Sequence, residues 1–122
     1  MYNYSKRSLI NLKQCHQDIQ TIFNEVIKEI DCTIVCGHRN EKDQNKAFKN
    51  KFSKLKFPKS KHNKKPSLAV DVIPHPSGYY LLQKINELAK IVKRIAKEKK
   101  IKIVWGGSWA WKDLPHFELE VK

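Results

Sequence analysis

Acidic side chains are scarce in this chain: 12 Asp and Glu stand against 25 Lys and Arg, a net charge of +13 over 122 residues. So one-sided a field favours polyanionic partners, whether nucleic acid, an anionic membrane or an acidic cell-wall polymer. No apolar run reaches the length of a membrane span, and the opening Met1-Tyr2-Asn3-Tyr4-Ser5-Lys6-Arg7 lacks the apolar core of a signal peptide. Cysteine is limited to Cys15, Cys32 and Cys36, an odd count that cannot pair completely and that fits reduced thiols in a cytosolic protein. Repeats, domain linkers, nuclease signatures, zinc-finger spacings and a helix-turn-helix arrangement are all missing. Charge alone therefore leaves a basic nucleic-acid-binding protein as a rival class without a motif to carry it.

What is there suits one small domain spanning residues 1–122, with no room for a separate wall-binding module. Leu9, Leu12, Ile19, Ile22, Phe23, Val26, Ile27 and Ile30 recur at gaps of three and four, predicting one amphipathic helix from about Ser8 to Ile30. Cys32–Cys36 is short, β-branched and closed by Gly37, a strand pattern. Asn40 with Asp43 marks the start of a second helix over Glu41 to Lys51. The lysine-rich interval from Phe52 to Ser67 has no periodicity and reads as a loop. Leu68–Ile73 reads as a buried strand closed by Pro74 and Pro76, Tyr79–Lys99 as a third helix, Ile101–Trp105 as a strand, Gly106-Gly107 as a turn and Phe117–Val121 as a last strand. Helices and strands without regular βαβ alternation predict an α+β fold.

Asp71 stands alone among Leu68, Ala69, Val70, Val72 and Ile73. A buried carboxylate is costly unless a cation or several hydrogen bonds compensate it, and by itself Asp71 fits an ordinary hydrogen-bonded acid. Two histidines at strand edges shift that balance. His62 ends the lysine-rich loop and His116 opens the last strand, and two His with one carboxylate leave a fourth position open, as catalytic zinc sites do. Asp113, three residues before His116, can act as a general base beside such a centre or cap a turn. Cys32, Cys36 and His38 stretch too far along a strand, at about 3.3 Å per residue, to share one ion, and the thiols read as core. His75, between two prolines, reads as a rim residue near the cleft; Trp105, Trp109 and Trp111 read as core and cleft wall.

The segments Ser60-Lys61-His62…Ala69-Val70-Asp71 and Asp113-Leu114-Pro115-His116, in that order, resemble the paired signatures of the VanY-like D-alanyl-D-alanine peptidases, members of the LAS metallopeptidases. Cys36-Gly37-His38-Arg39, Gln44 and Trp105-Gly106-Gly107-Ser108-Trp109 extend the likeness over nearly the whole chain, which most resembles phage endolysins acting as L-alanyl-D-glutamate peptidases. The resemblance implies an antiparallel sheet with helices packed around it, a LAS/Hedgehog-like zinc peptidase fold. It also implies Zn2+ on His62, Asp71 and His116, with Asp113 as general base. Arg39 would meet a substrate carboxylate or the developing oxyanion, and Ser60 and Gln44 would contact substrate or support those that do. The interval between His62 and Asp71 is longer than the family's commonest form and lacks its Gly, a change a loop absorbs at small entropic cost.

The expected activity is hydrolysis of the L-alanyl-D-glutamate bond of peptidoglycan stem peptides, causing cell-wall lysis, with D-alanyl-D-alanine carboxypeptidase activity as the alternative. An enzyme of this kind would be synthesised in the cytoplasm and released to the wall through a separate pore. It would work as a monomer, and its positive charge would supply a salt-sensitive attraction to the wall.

Overall fold

The computed structural model describes residues 2–75 and 81–120. Ser5 caps the first helix, α1 (Lys6–Lys13), by accepting a hydrogen bond from the Ser8 amide, and α2 (Gln17–Val26) follows after a three-residue break. Strand β1 (Cys32–Cys36), helix α3 (Glu41–Lys49), strand β2 (Ala69–Pro74), helix α4 (Leu81–Glu98) and strands β3 (Ile103–Trp105) and β4 (His116–Leu119) complete the order. The four strands form one wholly antiparallel sheet in the order β1-β2-β4-β3. The α+β expectation is therefore borne out. Among the described residues no helix is long and apolar enough to cross a membrane.

The single long helix expected over residues 8–30 is instead two helices. The backbone at Gln14 and His16 leaves the helical pattern to pair with Ser67, whose amide donates to Gln14 O at 2.9 Å and whose carbonyl accepts from His16 N at 2.8 Å. His16 then starts α2 by accepting from the Asp18 amide through Nδ1. The apolar spacing survives the break because both helices cover the same sheet, which is why periodicity alone reads them as one. The expected starts at Tyr79 and end at Val121 lie outside the described residues.

Strand periodicity decides which chemistry faces which way. Val70 and Val72 of β2, Phe117 and Leu119 of β4, and Cys32 and Ile34 of β1 point into one cluster with Ile19, Ile22, Phe23 and Val26 of α2 and Leu88, Val92 and Ile95 of α4. Each such large side chain contributes about 1.5–3 kcal/mol on burial. The alternate residues Asp71, His116 and Glu118 are thereby turned onto the opposite face. A lone Asp in an apolar strand is the outward member of a half-buried strand here, not a charge inside the core.

Candidate active site

Asp71 and His116 are directly opposed in the β2–β4 register, and Cys36 of β1 opposes Asp71 on its other side. His62 reaches the same point from a short 3-10 turn, Lys61–Asn63. Ser60 fixes that turn by accepting from the His62 amide at 3.2 Å, while the Ser60 amide donates to Asn63 Oδ1 at 3.0 Å. The longer loop before Asp71 is anchored at its end by Ser67, whose hydroxyl donates to Ala69 O at 2.6 Å.

At the centre, one carboxylate oxygen meets two imidazoles. His62 Nε2 and His116 Nδ1 each lie 3.2 Å from Asp71 Oδ1. The second nitrogen of each ring is already engaged: His62 Nδ1 donates to Gly37 O at 2.8 Å, and His116 Nε2 donates to Glu118 Oε1 at 2.8 Å. In the neutral rings this leaves a lone pair on each nitrogen that faces Asp71. Asp71 Oδ2 is occupied separately by Arg39, whose Nη2 donates at 3.2 Å. Zinc with bonds of roughly 2.0–2.1 Å in tetrahedral geometry separates its ligands by about 3.3 Å, so the two separations and the donor types fit such an ion. The structure thus brings His62, Asp71 and His116 together at one point.

The charges respond to one another. Burial disfavours the His62 imidazolium, but the Asp71 hydrogen bond, the nearby Cys36 and the Asp71 charge outweigh it, raising its pKa from 6.5 to about 10. Burial likewise works against ionisation of Asp71, yet the two histidines hold its carboxyl well below the usual carboxylate range. His116 is raised despite its burial, through Asp71 and Glu118. Asp113 shifts the other way from Asp71: burial and the Asp71 charge push its carboxyl up.

Asp113 stands at the mouth of this cluster, its Oδ2 3.9 Å from His116 Nδ1. The turn that carries it is tied at both ends: the Asp113 amide donates to Gly106 O at 3.0 Å, and its carbonyl accepts from the His116 amide at 3.2 Å. Gly106 cannot carry a side chain there, since a Cβ would lie 2.4 Å from Asp113 O.

Arg39 and Gln44 form the support on the other side. Arg39 Nη1 donates to Gln44 Oε1 at 3.0 Å, and Gln44 Nε2 donates to Ser53 Oγ at 2.9 Å and Leu55 O at 2.6 Å. Gln44 is wholly buried, beneath the cleft rather than in its wall. The cleft itself has a volume of about 510 Å³, and Arg39, Ser60, Trp109, Trp111 and Asp113 line it together with the three central residues. Trp105 stacks on Phe117 beside the core, so the tryptophans divide between core and cleft wall as expected. His75 does not reach the cleft rim; it lines a separate hollow with Asp31 and Lys84, because the end of β2 carries it away beside α4.

Three residues near the centre escape the sequence reading. Glu118 bridges His116 to Lys61, whose Nζ lies 2.9 Å from Glu118 Oε2 and also donates to Leu119 O at 2.6 Å. Its two-residue spacing from His116 in an alternating strand was the available signal; for Lys61 there was none. Cys36 is not a core thiol like Cys32. A bulge between Ile34 and Cys36 turns it toward the site, and it joins His62 and Asp71 in a group whose donor atoms lie within 4.8 Å and that could hold a metal ion. Its Sγ, however, is 3.9 Å from His62 Nδ1, the nitrogen already committed to Gly37 O. His116 lies on the other side of the same carboxylate oxygen, its Nδ1 3.2 Å from Asp71 Oδ1.

Comparison with known proteins places the chain beside peptidases. The family model described as phage L-alanyl-D-glutamate peptidase matches residues 1–122. Among solved structures, the chain is similar to a Serratia marcescens L-Ala D-Glu endopeptidase, ChiX, at 27% identity and a TM-score of 0.82, covering 97% of this chain and 90% of that one. No curated protein sequence matches.

Proposed function

The chain belongs to the phage L-alanyl-D-glutamate peptidase family, and from that premise we propose that it hydrolyses the L-alanyl-D-glutamate bond of peptidoglycan stem peptides with Zn2+ held by His62 Nε2, Asp71 Oδ1 and His116 Nδ1. The observation that carries the ligand assignment is the pair of imidazoles facing one carboxylate oxygen, each with its other nitrogen held by a carbonyl or carboxylate acceptor. Such acceptors fix the tautomer and orientation of metal-binding histidines.

Bound there, zinc supplies Lewis acidity to water and to the scissile carbonyl. Asp113 accepts a proton from the attacking water as its oxygen bonds to the L-alanyl carbonyl carbon. When the C–N bond breaks, Asp113 returns that proton to the departing D-glutamate amine, so no covalent enzyme intermediate is required. The raised carboxyl of Asp113 suits both halves of this exchange. Arg39 holds Asp71 Oδ2 and keeps Oδ1 turned to the two histidines, and as a cleft-lining cation it favours the charge that develops on the carbonyl oxygen. Trp109 and Trp111 line the cleft beside these groups.

The test is metal stoichiometry and affinity. Wild type should bind one zinc per chain, His62→Ala, Asp71→Ala and His116→Ala should lose tight binding, and Cys36→Ser should keep it. Loss in Cys36→Ser with retention in His116→Ala would instead favour the Cys36, His62, Asp71 group.

A further inference from the structure

The cleft carries more positive charge than its own acids answer. Arg39, Lys54, Lys59 and Lys61 line it against Asp71, Asp113 and Glu118. Arg39 is taken by Asp71 and Lys61 by Glu118, whereas among the described residues Lys54 and Lys59 form no ion pair. A divalent ion on the histidines adds to the surplus, so the cleft is built for an anion.

Of the two, Lys54 is the one held in place. Both of its chain neighbours are gripped by the same buried amide: Gln44 Nε2 donates to Ser53 Oγ and to Leu55 O. The other end of that amide accepts from Arg39, which in turn holds Asp71. The segment bearing Lys54 is therefore tied to Asp71 through two side chains, Gln44 and Arg39. From it the Lys54 ammonium reaches the opposite wall and lies 5.3 Å from the centre of the Trp111 ring. An ammonium resting on an aromatic face keeps its charge; Lys54 is exposed in the free protein, and its attraction for a carboxylate grows as the bound substrate excludes water. Lys59 is exposed like Lys54 but sits on a turn closed by its amide and Lys56 O, without the Gln44 tie that holds the Lys54 segment.

Resting on the peptidase reading above, we propose that Lys54 is a specificity-determining residue that binds the free carboxylate of the D-glutamate residue whose amine is released. That residue has two carboxyl groups. Whichever one continues the stem peptide, the other is left as a free carboxylate or, in amidated walls, as a primary amide. Lys54 makes the enzyme distinguish the two.

The experiment compares kcat/KM for two synthetic stem peptides that differ only in that group, carboxylate against carboxamide, using the zinc-loaded full chain. Wild type is expected to prefer the carboxylate about tenfold, the scale of one charge-assisted contact. Lys54→Met should abolish the preference by slowing the carboxylate peptide alone, mainly through KM. Lys54→Arg should retain the preference. Lys90→Met, which removes the same charge from the exposed side of α4, should leave the ratio unchanged. Equal rates on both peptides in wild type, an equal loss on both in Lys54→Met, or an equal shift of the ratio in Lys90→Met would overturn the assignment while leaving the peptidase reading standing. Cleavage of neither peptide by wild type would overturn the peptidase reading and this proposal with it.

Discussion

Asp71 and His116 face each other across β2 and β4, and the 3.2 Å between Asp71 Oδ1 and His116 Nδ1 is set by strand register rather than by a loop. Sites built on paired strands hold their geometry better than sites on loops. His62 alone comes from a turn, and that turn is capped by Ser60 and closed onto Arg39, whose amide donates to His62 O at 2.9 Å.

Asp113→Asn keeps the size of the side chain and its turn but removes the proton acceptor. It should lower kcat by about 10²–10⁴-fold, the usual worth of a positioned acid–base group, while zinc affinity stays within a few-fold. Steady-state kinetics with a parallel chelator competition checks both; a large loss of zinc would move Asp113 from proton transfer to metal binding.

Glu118→Gln should weaken zinc binding about 10–100-fold, because the acceptor that orients His116 loses its charge. Lys61→Met should produce a smaller loss in the same direction, since it acts on His116 only through Glu118. Unchanged affinity in both variants, measured by competition with a chromophoric chelator, would make the bridge a matter of folding alone.

Protonation predicts opposite pH trends with and without metal. The His62 pKa is raised from 6.5 to about 10, so its contribution to folding is complete below 6.5 and is lost as pH rises through about 10. Asp71 is lowered from 3.8, so its contribution is present above that value and is lost in acid. Tm of chelated protein should therefore fall between pH 6.5 and 10, whereas the stabilisation by added zinc should grow over the same interval, because the ligand nitrogens must shed protons. Thermal melts across that range check this, and a chelated Tm that climbs with pH would contradict the His62–Asp71 pairing.

Gln44→Leu should destabilise the protein by about 1–3 kcal/mol, since the buried Gln44 amide is the shared partner of part-buried groups on Arg39, Asn63, Ser53 and Leu55. Because the same amide links Arg39 to the Lys54 segment, the variant should also lose activity beyond what the stability change explains. Denaturant melts and kcat/KM measured together separate the two effects.

Much of the site was legible in the sequence, and the reasons differ by residue. Asp71 stood out as a lone acid in an apolar run, and His62, His116 and Asp113 by their order and resemblance. The sheet face of Asp71 and His116 follows from the period-two pattern of Val70, Val72, Phe117 and Leu119. Cys36 was hidden because a bulge shifts the pairing by one residue, and local composition does not reveal a bulge. The break at Gln14–His16 was hidden because its cause, pairing with Ser67, lies more than fifty residues away. Gln44 was picked out by resemblance, but only the structure separates a residue beneath the cleft from one in its wall.

The central claim is best tested by digesting purified peptidoglycan with wild type, chelated wild type and His116→Ala, and identifying new termini by mass spectrometry. The account predicts new D-glutamate amino termini from wild type alone, restored to the chelated enzyme by zinc and not restored to His116→Ala. Release of free D-alanine in their place, or undiminished cleavage by the chelated enzyme or by His116→Ala, would contradict it.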